Sequence, residues 1–210
     1  MTKEGLIGPE NAMLFLNGFH FISGEPDHYL QANHHCSLVG NTGFDAFIQC
    51  AIYVPGTQPA RLAGIEYIVS GDAFASFPIE ERQLWHSHQF EVSSGYLIEP
   101  GLPETVDKEI MKILVNSYGK TVHTWRWDQK NNTLPLGIPE LVNGYTGHGQ
   151  LPPDFVEERD DYYEVNSTKI SQSRRDIVVP EVQRGADVWK EGIILTLGLV
   201  NNTGSTNFDV

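Results

Sequence analysis

The sequence predicts an α+β fold: a single domain with a largely antiparallel sheet, or a partial barrel, and flanking helices. Three observations predict it. Phe44 to Val54 alternates, with Phe44, Ala46, Ile48, Cys50, Ile52 and Val54 on one face, and Arg61 to Ser70 alternates again after a break at Pro55–Gly56. Two such runs so close together read as a hairpin. Thr105 to Tyr118 instead keeps Val106, Ile110, Ile113 and Leu114 on one helical face, and Gly119 supplies a stop. Finally, 210 residues of which 40% are hydrophobic and 20% charged are enough for one sizeable core.

The remaining elements follow in order. Pro9 to Leu16 is periodic enough for a short helix, with Pro9 suited to its opening turn, and Phe19-His20-Phe21 alternates like a strand. In the second hairpin strand Leu62, Gly64, Glu66 and Ile68 share one face, while Ala63, Ile65, Tyr67 and Val69 share the other. Asp72 to Trp85 is helix-prone and divided by Pro78. His86 to Ile98 reads as a strand interrupted near Ser93-Ser94-Gly95. Lys120 to Asp128 reads as another, aligning His123, Trp125 and Trp127 on one face. A helix is expected around Pro153 to Val165. Beyond residue 166 the texture loosens, and Val188 to Val200 is expected to pair as a terminal strand before a frayed tail of ten residues. The predicted division is a main domain over residues 1–165 and a C-terminal extension over 166–210 that packs on it.

Charge narrows the partners. Lysine and arginine total 14 against 27 aspartates and glutamates, a net charge of −13, which repels phosphate backbones and argues against nucleic acid. It also disfavours electrostatic docking on anionic lipid headgroups. The longest apolar runs, Phe44 to Val54 and Ile193 to Val200, fall short of the ~20 residues of a membrane span. Met1 to Gly5 lacks the pattern of a secretory leader, so the expected location is the cytosol. Cys36 and Cys50 are then expected to be reduced core thiols. No phosphate-cradling glycine loop and no Gly-x-Ser-x-Gly elbow occurs.

What remains is histidine. His86 and His88 lie two apart in an expected strand and point to one side, the arrangement of a paired metal ligand, with His123, His34 or His35 able to face them. The spacing to Glu91 resembles a cupin metal site, but a regular strand turns Glu91 to the opposite face. Three readings stay open: buried histidines satisfying the core, a metal held by His86, His88 and His123, and a metal-free pocket of hydrogen-bond donors. Glu66, the only charge between Gly64 and Val69, is expected to pair with a histidine or Arg61 rather than act as a free base. Aromatic residues interleave with the histidines. Trp85, Phe90, Trp125 and Trp127, with His20 and His34, are candidate walls for a bulky apolar ligand.

Several stretches carry a family resemblance. Ala60 to Ser70, then Leu84-Trp85-His86-Ser87-His88, Tyr118 to His123 and Leu134 to Pro139 occur in the order seen in the oil-body-associated protein family, as do Gly18-Phe19-His20-Phe21, His34-His35 and Gln49-Cys50-x-x-Tyr53. Over residues 10 to 165 the chain resembles that family. The resemblance implies one domain of this type and, for plant members, association with lipid droplets. It implies no mechanism. The chain departs from the pattern at Val54-Pro55-Gly56 and Gly24 to His28, and nothing after residue 166 matches.

Three functions are thereby set against one another. The leading expectation is a cofactor-independent isomerase or pericyclase, acting on an apolar terpenoid or polyketide intermediate. There His86, His88, His123 and Glu66 are the catalytic candidates, and His20, His34 and the four aromatics hold the substrate. The second is a non-catalytic protein of lipid droplets. The third is a metal-dependent oxygenase on the histidine set, with a transition metal as its only cofactor. The residues do not give the oligomeric state.

Overall fold

The computed structural model describes residues 14–40 and 46–198. In chain order it contains β1 (Leu14–Ile22), β2 (Leu30–Val39), β3 (Phe47–Tyr53), β4 (Leu62–Ser70), α1 (Gly71–Ala75), α2 (Ile79–Arg82), β5 (His86–Ser87), α3 (Gln89–Ser94), α4 (Glu104–Leu114), β6 (Ser117–His123), β7 (Glu140–Gly144), α5 (Pro153–Tyr163) and α6 (Ser167–Ser173), then a 3-10 turn at Val188–Glu191. All strand pairs are antiparallel, and the order β4-β3-β2-β1-β7-β6 closes on itself because β6 also pairs with β4. The result is a six-stranded barrel with helices around it, and the short β5 shares an edge of β6 with β7. The expected α+β class with a barrel is what the chain adopts.

Closure sets the environment of every alternate residue, because side chains of even spacing on each strand share the interior. Leu16, Cys36, Cys50 and Ile68 meet Met111, Leu114 and Val115 of α4 and its C-terminal end, with Val92 and Leu97, and so plug one end. At the other end lie Ala32, Ile52 and Ala63, with Trp127 against them. Outside the barrel, Phe19 and Phe21 of β1 are buried under Tyr145, Leu151 and Val156 of α5. β1 is thus covered on both faces, which is why its sequence shows so little polar alternation.

Several local expectations are corrected. Leu14 to Leu16 belong to β1 rather than to a helix, and residues 9–13 of that expected helix lie outside the described residues. The strand expected over His86 to Ile98 stops at Ser87; His88 caps α3, so the chain turns helical one residue later. The strand expected over Lys120 to Asp128 runs instead from Ser117 to His123, and the chain leaves the sheet before Trp125 and Trp127. α4 is present, but its core-facing residues are Met111 and Leu114, while Val106 and Ile113 are 45% and 72% exposed. The terminal strand expected over Val188 to Val200 is a 3-10 turn followed by irregular chain as far as residue 198, and residues 199–210, including the expected tail, lie outside the described residues. β2, β7 and α6 were not anticipated, since His34 breaks the apolar alternation of β2 and β7 is only five residues long.

The cysteines are corrected as well. Cys36 and Cys50 are directly paired across β2 and β3 and both point inward, so they form a disulfide rather than two free thiols. It closes a loop of 14 residues in sequence separation. Restricting the unfolded chain over a loop of that size contributes about 3 kcal/mol. The Cys36→Ala/Cys50→Ala chain is therefore expected to unfold at about 2–3 kcal/mol lower stability. Chemical denaturation with and without dithiothreitol checks this; equal midpoints in both buffers would contradict it.

Candidate functional site

Midway along the barrel, between its two apolar ends, the interior turns polar. Register explains the convergence. Glu66 of β4 stands opposite Thr121 of β6, His34 of β2 lies two residues from Cys36 on the inward face, and His20 of β1 pairs with Gly144 of β7. β5 brings His86 in beside Gly119, and the turn into α3 carries His88 to the same place. All of these side chains are 3% exposed or less.

Glu66 is the centre. Its Oε1 lies 3.4 Å from Nε2 of both His86 and His88, and its Oε2 lies 3.3 Å from Nε2 of His34. Thr121 donates its hydroxyl to Oε1 at 2.9 Å. The pairing expected for Glu66 thus falls to histidines; Arg61 instead donates to the carbonyl of Asn132 and lies over the Trp125 ring. Proximity here is not bonding, however. For His34 and His86, Nε2 lies within 3.4 Å of the carboxylate yet makes no hydrogen bond, and among the described residues neither ring has a partner at Nδ1.

Glycines make the room. A Cβ at Gly119 would overlap Glu66 Oε1 and lie 2.9 Å from the His86 ring, and one at Gly144 would fall 2.8 Å from Glu91 Oε2. Gly64 is excluded from growth for another reason, since its Cβ would run into the backbone of Val122 on the neighbouring strand. Glu91 enters this region from α3. The helical turn after Ser87 brings it to the histidines, where a regular strand would have turned it away.

Burial governs ionisation. It would push the Glu66 carboxyl up, but hydrogen bonding from His86 and His88 and the proximity of His34 hold it well below its usual range. Burial pushes His34 and His88 down toward neutrality, whereas Glu66, Glu91 and Asp187 together overcome burial at His86 and raise it. These directions pull against one another, since a carboxylate held down by three rings asks for positive charge that two of them resist. We take Glu66 as ionised, and hydrogen bonding fixes a proton on Nδ1 of His88. Ser117 spends its one proton on the carbonyl of Leu114 at 2.7 Å, so its oxygen accepts from His88 Nδ1 at 2.8 Å. His88 then turns Nε2 to Glu66 Oε1 at 3.4 Å. Burial also lifts Glu91 to about 8 and lowers His123 to about 4.

The other candidates scatter. His20 sits at the rim of the cluster, its ring centroid 5.0 Å from that of His34 and 6.0 Å from that of His86. His123 is inside the barrel but one layer away, against Trp127 at 5.8 Å, and it pairs with Gly64 rather than meeting Glu66. Trp85 lies outside the barrel with Phe74, Phe77 and Tyr118, its indole donating to Glu81 at 2.9 Å. Phe90 packs on Tyr96 and His148, and Trp125 donates to the carbonyl of Leu62. The aromatics expected to wall an apolar pocket therefore do not surround the histidines, except Trp127. His35, offered as a facing ligand, points outward.

A family model described as protein of unknown function, DUF1264, matches residues 8–178. The chain belongs to this family. Among curated relatives of this DUF1264 chain, oil body-associated protein 2C of Arabidopsis thaliana is 35% identical over 176 residues, covering 82% of the chain and 72% of the relative. Oil body-associated protein 1B of the same plant is 35% identical over 167 residues, covering 80% and 67%. Oil body-associated protein 1A of Zea mays is 34% identical over 180 residues, covering 86% and 74%. The resemblance drawn from the motifs is borne out. No solved structure matches the chain. The leading functional expectation is corrected at this point. These relatives are named for association with oil bodies and not for a reaction, so an isomerase or pericyclase of terpenoid or polyketide intermediates loses its support, and its apolar substrate with it.

Proposed function

We propose that this DUF1264 chain is a peripheral, non-catalytic protein of lipid droplets. The observation that carries the reading is the identity of about a third, over most of both chains, to proteins named oil body-associated. Among the described residues no helix is long and apolar enough to cross a membrane. Attachment then calls for an amphipathic element laid on the surface.

α4 supplies one. Its apolar arc runs from Val106 and Ile113 through Ile110 to Leu114 and Met111, and the barrel plug uses only the last part. Val106 and Ile113 project into solvent with Leu102 from the preceding turn, which is 40% exposed. The acidic charge of the chain favours a neutral surface over an anionic one, which fits uncharged lipid under a zwitterionic monolayer.

The expected outcome is that the chain floats with triacylglycerol droplets coated in phosphatidylcholine and resists a salt wash. Each half-exposed apolar side chain transferred to lipid contributes about 1 kcal/mol, so Val106→Ser/Ile113→Ser should weaken flotation roughly tenfold or more. Ile65→Ser/Tyr67→Ser, on the outer face of β4, should leave it unchanged. Wild-type chain remaining in the aqueous layer would overturn the reading, and loss on the β4 variant alone would overturn the choice of surface.

A further inference from the structure

The cluster inside the barrel has the spacing of a coordination sphere that lacks its centre. Around a four-coordinate zinc ion with bonds of 2.0–2.1 Å, ligand atoms lie about 3.3–3.4 Å from one another. That is the separation of Glu66 Oε1 from Nε2 of His86 and of His88. One donor atom from each of Glu66, His86 and His88 lies within 4.8 Å of the others. The His88 contact is long for a charge-assisted hydrogen bond, and both nitrogens of His86 are buried without a hydrogen-bond partner among the described residues.

The orientation of His88 points the same way. Ser117 accepts from Nδ1, which leaves Nε2 as the nitrogen turned to Glu66 Oε1 at 3.4 Å, the arrangement of an imidazole ligand fixed through its other ring nitrogen. The second layer is also in place. Ser117 orients His88, Thr121 holds Glu66 Oε1, and His34 stands 3.3 Å from Oε2. Gly119 and Gly144 keep the space free of side chains.

We infer that Glu66, His86 and His88 form a buried binding site for a divalent first-row transition ion, zinc by donor type, with Ser117, Thr121 and His34 as positioning residues. Two imidazoles and one carboxylate suit zinc, whereas calcium and magnesium require oxygen donors throughout. His123, the third ligand expected from the sequence, is not among them. The inference does not rest on droplet attachment, and neither result of the flotation experiment bears on it.

The test uses the full chain made without a polyhistidine tag. Native mass spectrometry and elemental analysis should find close to one metal ion per chain. After dialysis against a chelator, Zn2+ at a hundred times its dissociation constant should raise Tm by roughly 5–10 °C. Cobalt in place of zinc should give the visible absorption of a four-coordinate ion. Ser117→Ala should weaken zinc binding roughly 10–100-fold, while His123→Phe leaves it unchanged. A chelator-treated wild-type chain with no cobalt band and no zinc-dependent change in Tm would overturn the site. In that case a proton on His86 balances Glu66. Because the wild-type chain decides the matter, misfolding of a variant would not obscure it.

Discussion

Arg159→Met should lower stability by about 3–5 kcal/mol. The guanidinium is 1% exposed, and all five of its N–H groups are committed. Nε donates to Asp160, one terminal nitrogen to Asn17 Oδ1 and the carbonyl of Tyr96, and the other to the carbonyl of Gly95 and Ser167 Oγ. Its face lies 4.6 Å over the Phe19 ring. One side chain of α5 thereby joins β1, the end of α3 and the start of α6. Methionine matches its length and apolar packing but leaves two carbonyls and the Asn17 amide oxygen without their donor, while Asp160 keeps only Ser167. For a chain of this size the loss corresponds to a fall in Tm of roughly 6–20 °C. Arg159→Lys should lie between the two, since an ammonium offers three donors without the planar fork. A calorimetric Tm within 2 °C of wild type for the methionine variant, about the effect of a typical surface change, would contradict this account.

Glu66→Ala should cost a similar amount, about 3–5 kcal/mol, measured on chelator-treated protein so that the protein's own interactions are read. Removing the carboxylate takes the acceptor from Thr121 and the counter-charge from His86, and no water-accessible surface lies nearby to compensate. Glu66→Gln keeps the volume and one acceptor oxygen, so its cost should be nearer 1–2 kcal/mol. His34 touches the same carboxylate, so Glu66→Ala and His34→Ala together should destabilise by less than the sum of the two. Additive losses in urea denaturation would show that the two side chains are not energetically joined.

The two predictions mark different degrees of legibility. Glu66 could be singled out from sequence because a lone charge in an apolar alternating run must find a partner when the strand is buried. His86 and His88 stood out by spacing. That His34, rather than His35 or His123, joins them could not be read, because it depends on how β2, β4 and β5 are curled around one interior. Arg159 gave no signal at all. In sequence it lies in an acidic helix that reads as a solvated face, and only the packing of α5 over β1 buries it. Glu91 was misplaced for a local reason, as the change from strand to helix after Ser87 redirects its side chain by a turn that alternation cannot foresee. The aromatics were misassigned because each large ring is apolar whichever side of the barrel it covers: Trp85 and Phe90 pack outside it, and Trp125 lies beyond the end of β6.

By itself the sequence determined the family, the α+β class, the β3–β4 hairpin and the unusual polarity of β4, since these rest on ordered motifs and on a period of two that any sheet obeys. Only the tertiary structure decided that the sheet closes, that Cys36 meets Cys50, and that three histidines reach one carboxylate. Alternation fixes which residues share a face of one strand. Barrel closure fixes which faces meet, and it is set by strand pairings over separations of tens of residues that no local pattern encodes.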